Sequence, residues 1–177
     1  MAKKYATSLF VFRRDLRLDD NTALINALEV SEEVLPMFIF TPEQVVDNPF
    51  KSEAAVQVMV ESLEELNKSL ERLGSKLFLF FGKPADVIEG VIQGVARVEA
   101  VFVNADYSPY SKRRDALIED ICRQNSVSFN SFEDVLLHPV GSVRTSNGKI
   151  YEKFTPYFRA AVKQRIAKPK QNRFRNY

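Results

Sequence analysis

Tryptophan is absent from this chain of 177 residues, and cysteine and histidine occur once each, as Cys122 and His138. A single cysteine excludes an intramolecular disulfide framework, and with one histidine it leaves too few soft ligands for a structural zinc site. No metal ligand set is expected, and a reducing cytosol is the expected setting. Glycine is also scarce, at six residues, while 45% of the chain is hydrophobic and 27% charged. That balance excludes collagen-like, low-complexity and disordered chains. No apolar run approaches the roughly 20 residues needed to cross a bilayer. The start, Met1-Ala2-Lys3-Lys4-Tyr5, has no signal-peptide core. A soluble, cytoplasmic protein without a membrane partner is therefore expected. Missing too are a GxSxG elbow, a Walker loop and any paired-histidine motif. Nucleophilic and acid/base catalysis consequently have few candidates, and His138, between Leu137 and Pro139, reads as a hydrogen-bonded loop histidine.

What is present fits one globular domain, long enough to bury roughly 70% of its unfolded surface. Charge is distributed unevenly. Net charge is +2 overall, but residues 144–177 carry ten basic residues and one acid, Glu152, so a −7 portion precedes a +9 portion. Such asymmetry marks either a segment that docks on nucleic acid or an acidic partner, or a solvated helix with a basic end. The last ten residues, Lys168 to Tyr177, have no apolar periodicity and read as a basic linker. The expected division is an α/β domain over 1–167 and a linker over 168–177.

Short apolar runs at Leu9 to Phe12, Met37 to Phe40, Leu77 to Phe81, Ala100 to Val103 and Val127 to Phe132 have strand length. Their near-continuous hydrophobicity is what parallel strands covered on both faces require. Helix patterns lie between them. From a Ser52 cap, Val56, Met59, Leu63, Leu66, Leu70 and Leu73 recur at spacings of 3 and 4 up to Gly74, a left-handed C-cap. Pro84 suits a first helical turn before Val87, Ile88 and Val91. Ser111 is expected to cap a helix in which Leu117, Ile118, Ile121 and Cys122 share a face, making Cys122 a core filler rather than a reactive thiol. A last helix is expected from Thr155-Pro156. The fold class that follows is α/β: a Rossmann-like open, five-stranded, mostly parallel sheet with helices on both faces.

Ligands in such sheets bind beyond the carboxyl ends of the strands. The first of these loops, Arg13-Arg14-Asp15-Leu16-Arg17-Leu18-Asp19-Asp20-Asn21, lacks glycine. The close backbone approach that cradles a dinucleotide pyrophosphate is therefore missing, which speaks against an NAD-type dehydrogenase. Its three arginines and three aspartates are expected to form an internal salt-bridge network with one arginine spared for a ligand; a phosphate or nucleic-acid site is the other reading.

Phe12 to Leu24, read together with Gly82-Lys83-Pro84, Asn104-Ala105-Asp106-Tyr107-Ser108-Pro109-Tyr110, Arg113-Arg114-Asp115 and Lys153-Phe154-Thr155-Pro156-Tyr157-Phe158, resembles the DNA photolyase and cryptochrome family in order and approximate spacing. The resemblance spans roughly residues 8 to 165 and covers the family's N-terminal α/β domain only. It departs from the family at Asp19, commonly His, and Thr22, commonly Pro. It implies a light-harvesting domain that holds an antenna pigment and has no catalytic residues of its own. FAD and damaged DNA would belong to a C-terminal helical domain absent from this chain, which alone would not act as a DNA-repair lyase. In the deazaflavin branch of the family an arginine matches Arg14, an aromatic matches Phe38, and acids match Thr41, Asp106 and Ser108. These five are the cofactor-binding residues the resemblance implies, with deazaflavin or FMN favoured over folate, because the Asn-Glu pair of the folate branch reads Tyr110-Ser111 here. A cryptochrome-type signalling domain and a stand-alone Rossmann-like binding module are the alternatives.

Overall fold

The computed structural model describes every residue except 1, 47, 48, 50, 51 and 96. Five strands, β1 (Tyr5–Phe12), β2 (Ser31–Phe40), β3 (Phe78–Phe81), β4 (Val98–Asn104) and β5 (Ser128–Phe132), form one sheet in the order β3-β2-β1-β4-β5. All four pairings are parallel, so the expected fold class holds. Helices α1 (Thr22–Val30), α2 (Pro42–Val45), α3 (Glu53–Glu71), α4 (Pro84–Gly94), α5 (Pro109–Gln124) and α6 (Phe154–Ala161) complete the chain. No helix among the described residues is long and apolar enough to cross a membrane.

Strand alternation divides the core in two. Phe10, Phe12, Phe38, Ala100 and Phe102 face α1 and α3, meeting Leu24, Leu28, Leu63, Leu66 and Leu70. Leu9, Val11, Met37, Ile39, Val101 and Val103 face the other way, toward Ile88 of α4 and Ile118 and Cys122 of α5. Burying such side chains contributes about 1.5–3 kcal/mol each, and this two-sided burial explains the continuous apolar runs of β1, β2 and β4; the edge strand β3 departs from the expectation, with Leu79 and Phe81 exposed on one face.

Local signals set most of the boundaries. Ser52 accepts from the Ala55 N–H and starts α3, while Gly74 follows its end at φ +80. Pro84 opens α4. Two helix starts differ from expectation: Ser108 caps α5, accepting from the Ser111 N–H at 3.1 Å ahead of Pro109, with Ser111 buried within the helix, and α6 begins at Phe154 after Lys153, so that Thr155 and Pro156 lie inside its first turn. Helix α1, between β1 and β2, buries Ala23, Leu24, Ile25, Ala27 and Leu28. Its cap is Asn21, which accepts from the Leu24 N–H, and the Asp134 carboxylate accepts from Thr22 N–H.

Strand β2 begins at Ser31, six residues before its apolar run, and continues through Pro36. The Val34 N–H bonds the Asn176 carbonyl at 2.9 Å on the side away from β1. Pro36, two residues on, faces the same way, where β3 begins pairing only at Met37, so its missing N–H leaves no ladder bond unmade. Asn176 belongs to the segment 168–177, which has no regular element and runs back along the domain. Lys170 and Asn172 give their N–H groups to Asp20 and Asp19, and Phe174 and Tyr177 pack against the core.

Candidate functional site: a crevice at the carboxyl ends of the strands

The chain winds outward from β1 through β2 to β3, then returns to the far side of β1 for β4 and β5. The reversal at β1 and β4 opens a crevice beyond their carboxyl ends, as this topology requires. Its apolar lining comes from Val11, Phe38, Ile39 and Ile118, and its polar wall from Arg14, Thr41, Asp106 and Ser108. The volume is about 330 Å³, within the range of small-molecule sites. All five residues singled out by sequence, Arg14, Phe38, Thr41, Asp106 and Ser108, thus line a single crevice.

A hydrogen-bonded platform fixes the loops around it. Asp15 is buried and accepts from the Arg13 N–H at 2.8 Å, Asn104 Nδ2 at 2.5 Å and Asn21 Nδ2 at 3.3 Å. Asn104 also gives Nδ2 to Asn21 Oδ1 at 2.8 Å and accepts from the Ala23 N–H at 3.0 Å. The end of β4 is thereby tied to the β1 loop and to the start of α1. Arg13 makes a bidentate pair with Asp115 of α5 at 2.6 and 3.0 Å, and bonds the Asn104 carbonyl. Burial lowers the Arg13 pKa, as does the nearby Arg114 charge, against the opposing pull of Asp115.

The expected lattice of arginines and aspartates within the first loop does not form. Arg13 pairs with Asp115 and Arg17 with Asp134, both remote in sequence, while Asp15 serves amides and Asp19 and Asp20 hold the C-terminal segment. One arginine is spared: Arg14 is exposed and pairs with no acid among the described residues.

The remaining lining residues differ in what they can offer. Phe38 is only 2% exposed, packs in the α1/α3 half of the core and meets Phe40 edge-on at 5.0 Å, so it offers no open stacking face. Tyr110, at 39% exposure, is the accessible aromatic of the wall. Burial pushes the Asp106 carboxyl up, but the Ser111 hydroxyl, the N–H groups of Ser108 and Tyr107 and the Arg114 charge outweigh it and hold the pKa below the usual value. The Ser108 hydroxyl is engaged with Ser111 as a cap. Two lining residues carry a buried polar atom without a partner, Thr41 Oγ1 and Arg114 Nη2. Gln44 accepts from the Thr41 N–H at 3.2 Å in a capping box, and the Thr41 hydroxyl, turned to the Gln44 N–H, makes no hydrogen bond of full geometry. Sequence reasoning did not single out Arg114 as a site residue; only its place in Arg113-Arg114-Asp115 hinted at it. His138 lies outside the lining and makes no side-chain hydrogen bond to a described residue.

An apolar floor with an arginine, a carboxylate kept ionised and two unmet polar atoms at one edge suits a planar heterocycle whose rim alternates acceptors and donors. Fold and crevice together define a Rossmann-like domain with a crevice of small-molecule size at its topological switch point. The profile of the DNA photolyase family matches residues 8–173, and the chain belongs to that family as its N-terminal α/β domain. A deoxyribodipyrimidine photo-lyase of Vibrio cholerae is 34% identical over 154 residues, covering 84% of this chain and 32% of that protein. The crystal structure of an archaeal photolyase from Sulfolobus tokodaii superposes with a TM-score of 0.86 at 38% identity, covering 95% of this chain and 37% of that one. It was solved with two FAD molecules, taken to imply a novel light-harvesting cofactor. A Synechocystis cryptochrome shares the fold, with a TM-score of 0.82 at 19% identity, covering 97% of this chain and 37% of that one. The chain thus spans about a third of the length of these relatives.

Proposed function

We propose that this chain is the antenna domain of a light-driven DNA photolyase, holding a flavin or deazaflavin ring in the strand-end crevice. The observation that carries the reading is the pair of buried, unmet polar atoms, Thr41 Oγ1 and Arg114 Nη2, in the wall of a crevice that also presents Arg14 and Asp106. Leaving such atoms unpaired costs about 1–3 kcal/mol each, and the carbonyls and ring N–H of a flavin would relieve that cost. Arg14 and Arg114 would donate to carbonyls and Asp106 would accept from a ring N–H. The pigment supplies light absorption; the chain's task is to exclude water and hold the ring at fixed orientation on a rigid floor.

FAD for the repair chemistry, and the damaged DNA, would be bound by a C-terminal helical domain, with 168–177 as the basic linker toward it. Cover of that kind suits the exposed apolar residues Leu137, Phe154, Phe158, Val162 and Ile166. Folate is disfavoured, since Tyr110 and Ser111 stand where the folate branch has Asn and Glu. The test is a titration of the purified chain with FMN, a deazaflavin and a methenyl folate, followed by pigment fluorescence. Saturable binding of FMN or the deazaflavin, with none of the folate, is the expected result. Failure of both flavins to bind a chain with native circular dichroism overturns the reading.

A further inference from the structure

Along 171–176 burial alternates residue by residue: Gln171, Arg173 and Arg175 lie exposed, while Asn172, Phe174 and Asn176 are partly buried. That is the period of an extended strand with one face against the domain. Phe174 and Tyr177 pack on the core, and the Lys3 ammonium stands 5.5 Å from the Phe174 ring centroid. The strap so formed is anchored at two places. At its far end the Asn176 carbonyl accepts from the Val34 N–H at 2.9 Å, on the stretch of β2 edge that β3 leaves open. Asn176 Nδ2 donates to the Leu28 and Ser31 carbonyls at 3.0 and 2.8 Å. At its near end the Asn172 N–H donates to Asp19 Oδ1 at 2.7 Å, and Asn172 Nδ2 to the Leu18 carbonyl at 3.1 Å and the Tyr177 hydroxyl at 2.7 Å. Lys170 exchanges two bonds with Asp20: its carbonyl accepts from the Asp20 N–H at 2.8 Å, and its N–H donates to Asp20 Oδ1 at 3.1 Å.

Asp20 has φ +50, in the left-handed region that residues other than glycine populate sparsely and keep only where the surroundings hold them. Here the strap takes its N–H and its carboxylate, and Arg17 Nε and Nη2 donate to its carbonyl. The next residue, Asn21, caps α1 and bonds both Asp15 and Asn104 of the platform. A strained residue therefore stands between the strap and the loop that carries Arg13 and Arg14.

We infer that residues 170–177 form a latch that sets the loop between β1 and α1, and with it the Arg14 side of the crevice, by holding Asp20 in its strained conformation. Strap docking and loop order are then one cooperative unit. The inference needs neither a pigment in the crevice nor a further domain. Release of the strap frees Asp20 to leave the left-handed region, Asn21 moves with it, and the bonds that Asp15 and Asn104 share with Asn21 loosen. The coupling is reciprocal, so whatever fixes the crevice loop also holds the strap down.

The experiment is amide hydrogen exchange, read by NMR on the whole chain, native and Asn172→Ala/Tyr177→Ala, a variant that keeps every group of the platform. Asp20 reports the strap. Arg13 and Ala23 report the loop, through their N–H bonds to Asp15 and Asn104. Val95 and Val127, whose N–H groups bond the Val91 and Cys122 carbonyls, report the rest of the domain. Losing one or two net hydrogen bonds implies exchange about tenfold faster at Asp20, with Arg13 and Ala23 rising by a similar factor and Val95 and Val127 unchanged. Native rates at Arg13 and Ala23 while Asp20 exchanges faster would make the strap a passive cover and overturn the latch. A native rate at Asp20 overturns it too, as does a rise shared equally by Val95 and Val127, which reports loss of global stability alone.

Discussion

Asn104 sits where the crevice's supports meet, and replacing it tests that platform. In Asn104→Ala the Ala23 N–H loses its acceptor at 3.0 Å, and the Asp15 carboxylate loses its 2.5 Å donor, keeping on that oxygen only the 3.3 Å contact from Asn21. Asn21 Oδ1 retains the Leu24 N–H. One orphaned buried amide costs about 1–3 kcal/mol, and a lost hydrogen bond to a buried charge about 1.5–3 kcal/mol. Because the groups share partners the two do not add fully, and a loss of about 3 kcal/mol is expected. For a domain of this size that lowers Tm by about 6–12 °C. Urea unfolding followed by circular dichroism gives the free energy directly. Asn104→Asp supplies a signature that mere loss of packing would not. It sets a second carboxylate against Asp15, so one of the pair has its pKa raised in the folded state. The folded form of this variant should therefore regain stability as pH falls through that raised value and lose it as pH rises. A loss below about 1 kcal/mol for Asn104→Ala, or an Asn104→Asp variant whose deficit is independent of pH, refutes the platform.

Burial pushes the Cys122 thiol up to about 11, with Glu119 adding to the shift, so a thiol reagent should react at pH 8 only after unfolding. The same shift means that this contribution to stability is complete below the ordinary thiol value near 9 and declines as pH rises toward about 11, which urea midpoints across that range will show. Gly82→Ala should destabilise by about 1–2 kcal/mol, because Gly82 sits at φ +148 with a new Cβ 3.1 Å from Val87 Cγ2. Gly90→Ala, in open space within α4, should instead stabilise by about 0.5–1 kcal/mol; paired thermal melts check both. Arg14→Ala should leave the thermal midpoint nearly unchanged, because Arg14 pairs with no acid among the described residues, yet weaken FMN binding in a fluorescence titration.

Strands, crossovers and most helix ends were legible because their causes are local. Ser52 and Gly74 bracket α3 within one stretch of chain, and the apolar runs of β1, β2 and β4 report burial on two faces, whereas that of β3 leaves Leu79 and Phe81 exposed. Boundaries failed where the cause was distant. Strand β2 starts at Ser31 because Tyr5 and Thr7 of β1 pair with Ser31 and Glu33; with Glu32 and Glu33 charged and exposed, no apolar run announces this stretch, and Pro36 is tolerated only because β3 starts late. Ser111 resembled a cap, but Pro109 fixes the first turn and so selects Ser108. The salt bridges were misassigned for the same reason: the acid that holds Arg13 lies 102 residues away, on α5. The five candidate residues fell together because each lies in the last residues of a strand or in the loop beyond it, where the carboxyl ends of β1, β2 and β4 open into one crevice. Arg114 escaped notice because its role depends on which of its nitrogens is left unpaired.

Whether the crevice seats a pigment is decided most directly by a crystal structure of the chain grown with FMN. The account predicts density for the ring over Val11, Ile39 and Ile118, with Arg14, Thr41 and Asp106 at its polar edge and Arg114 Nη2 no longer unpaired. A ring found elsewhere on the surface, or a crevice closed by the chain's own side chains while FMN is present in excess, would contradict it.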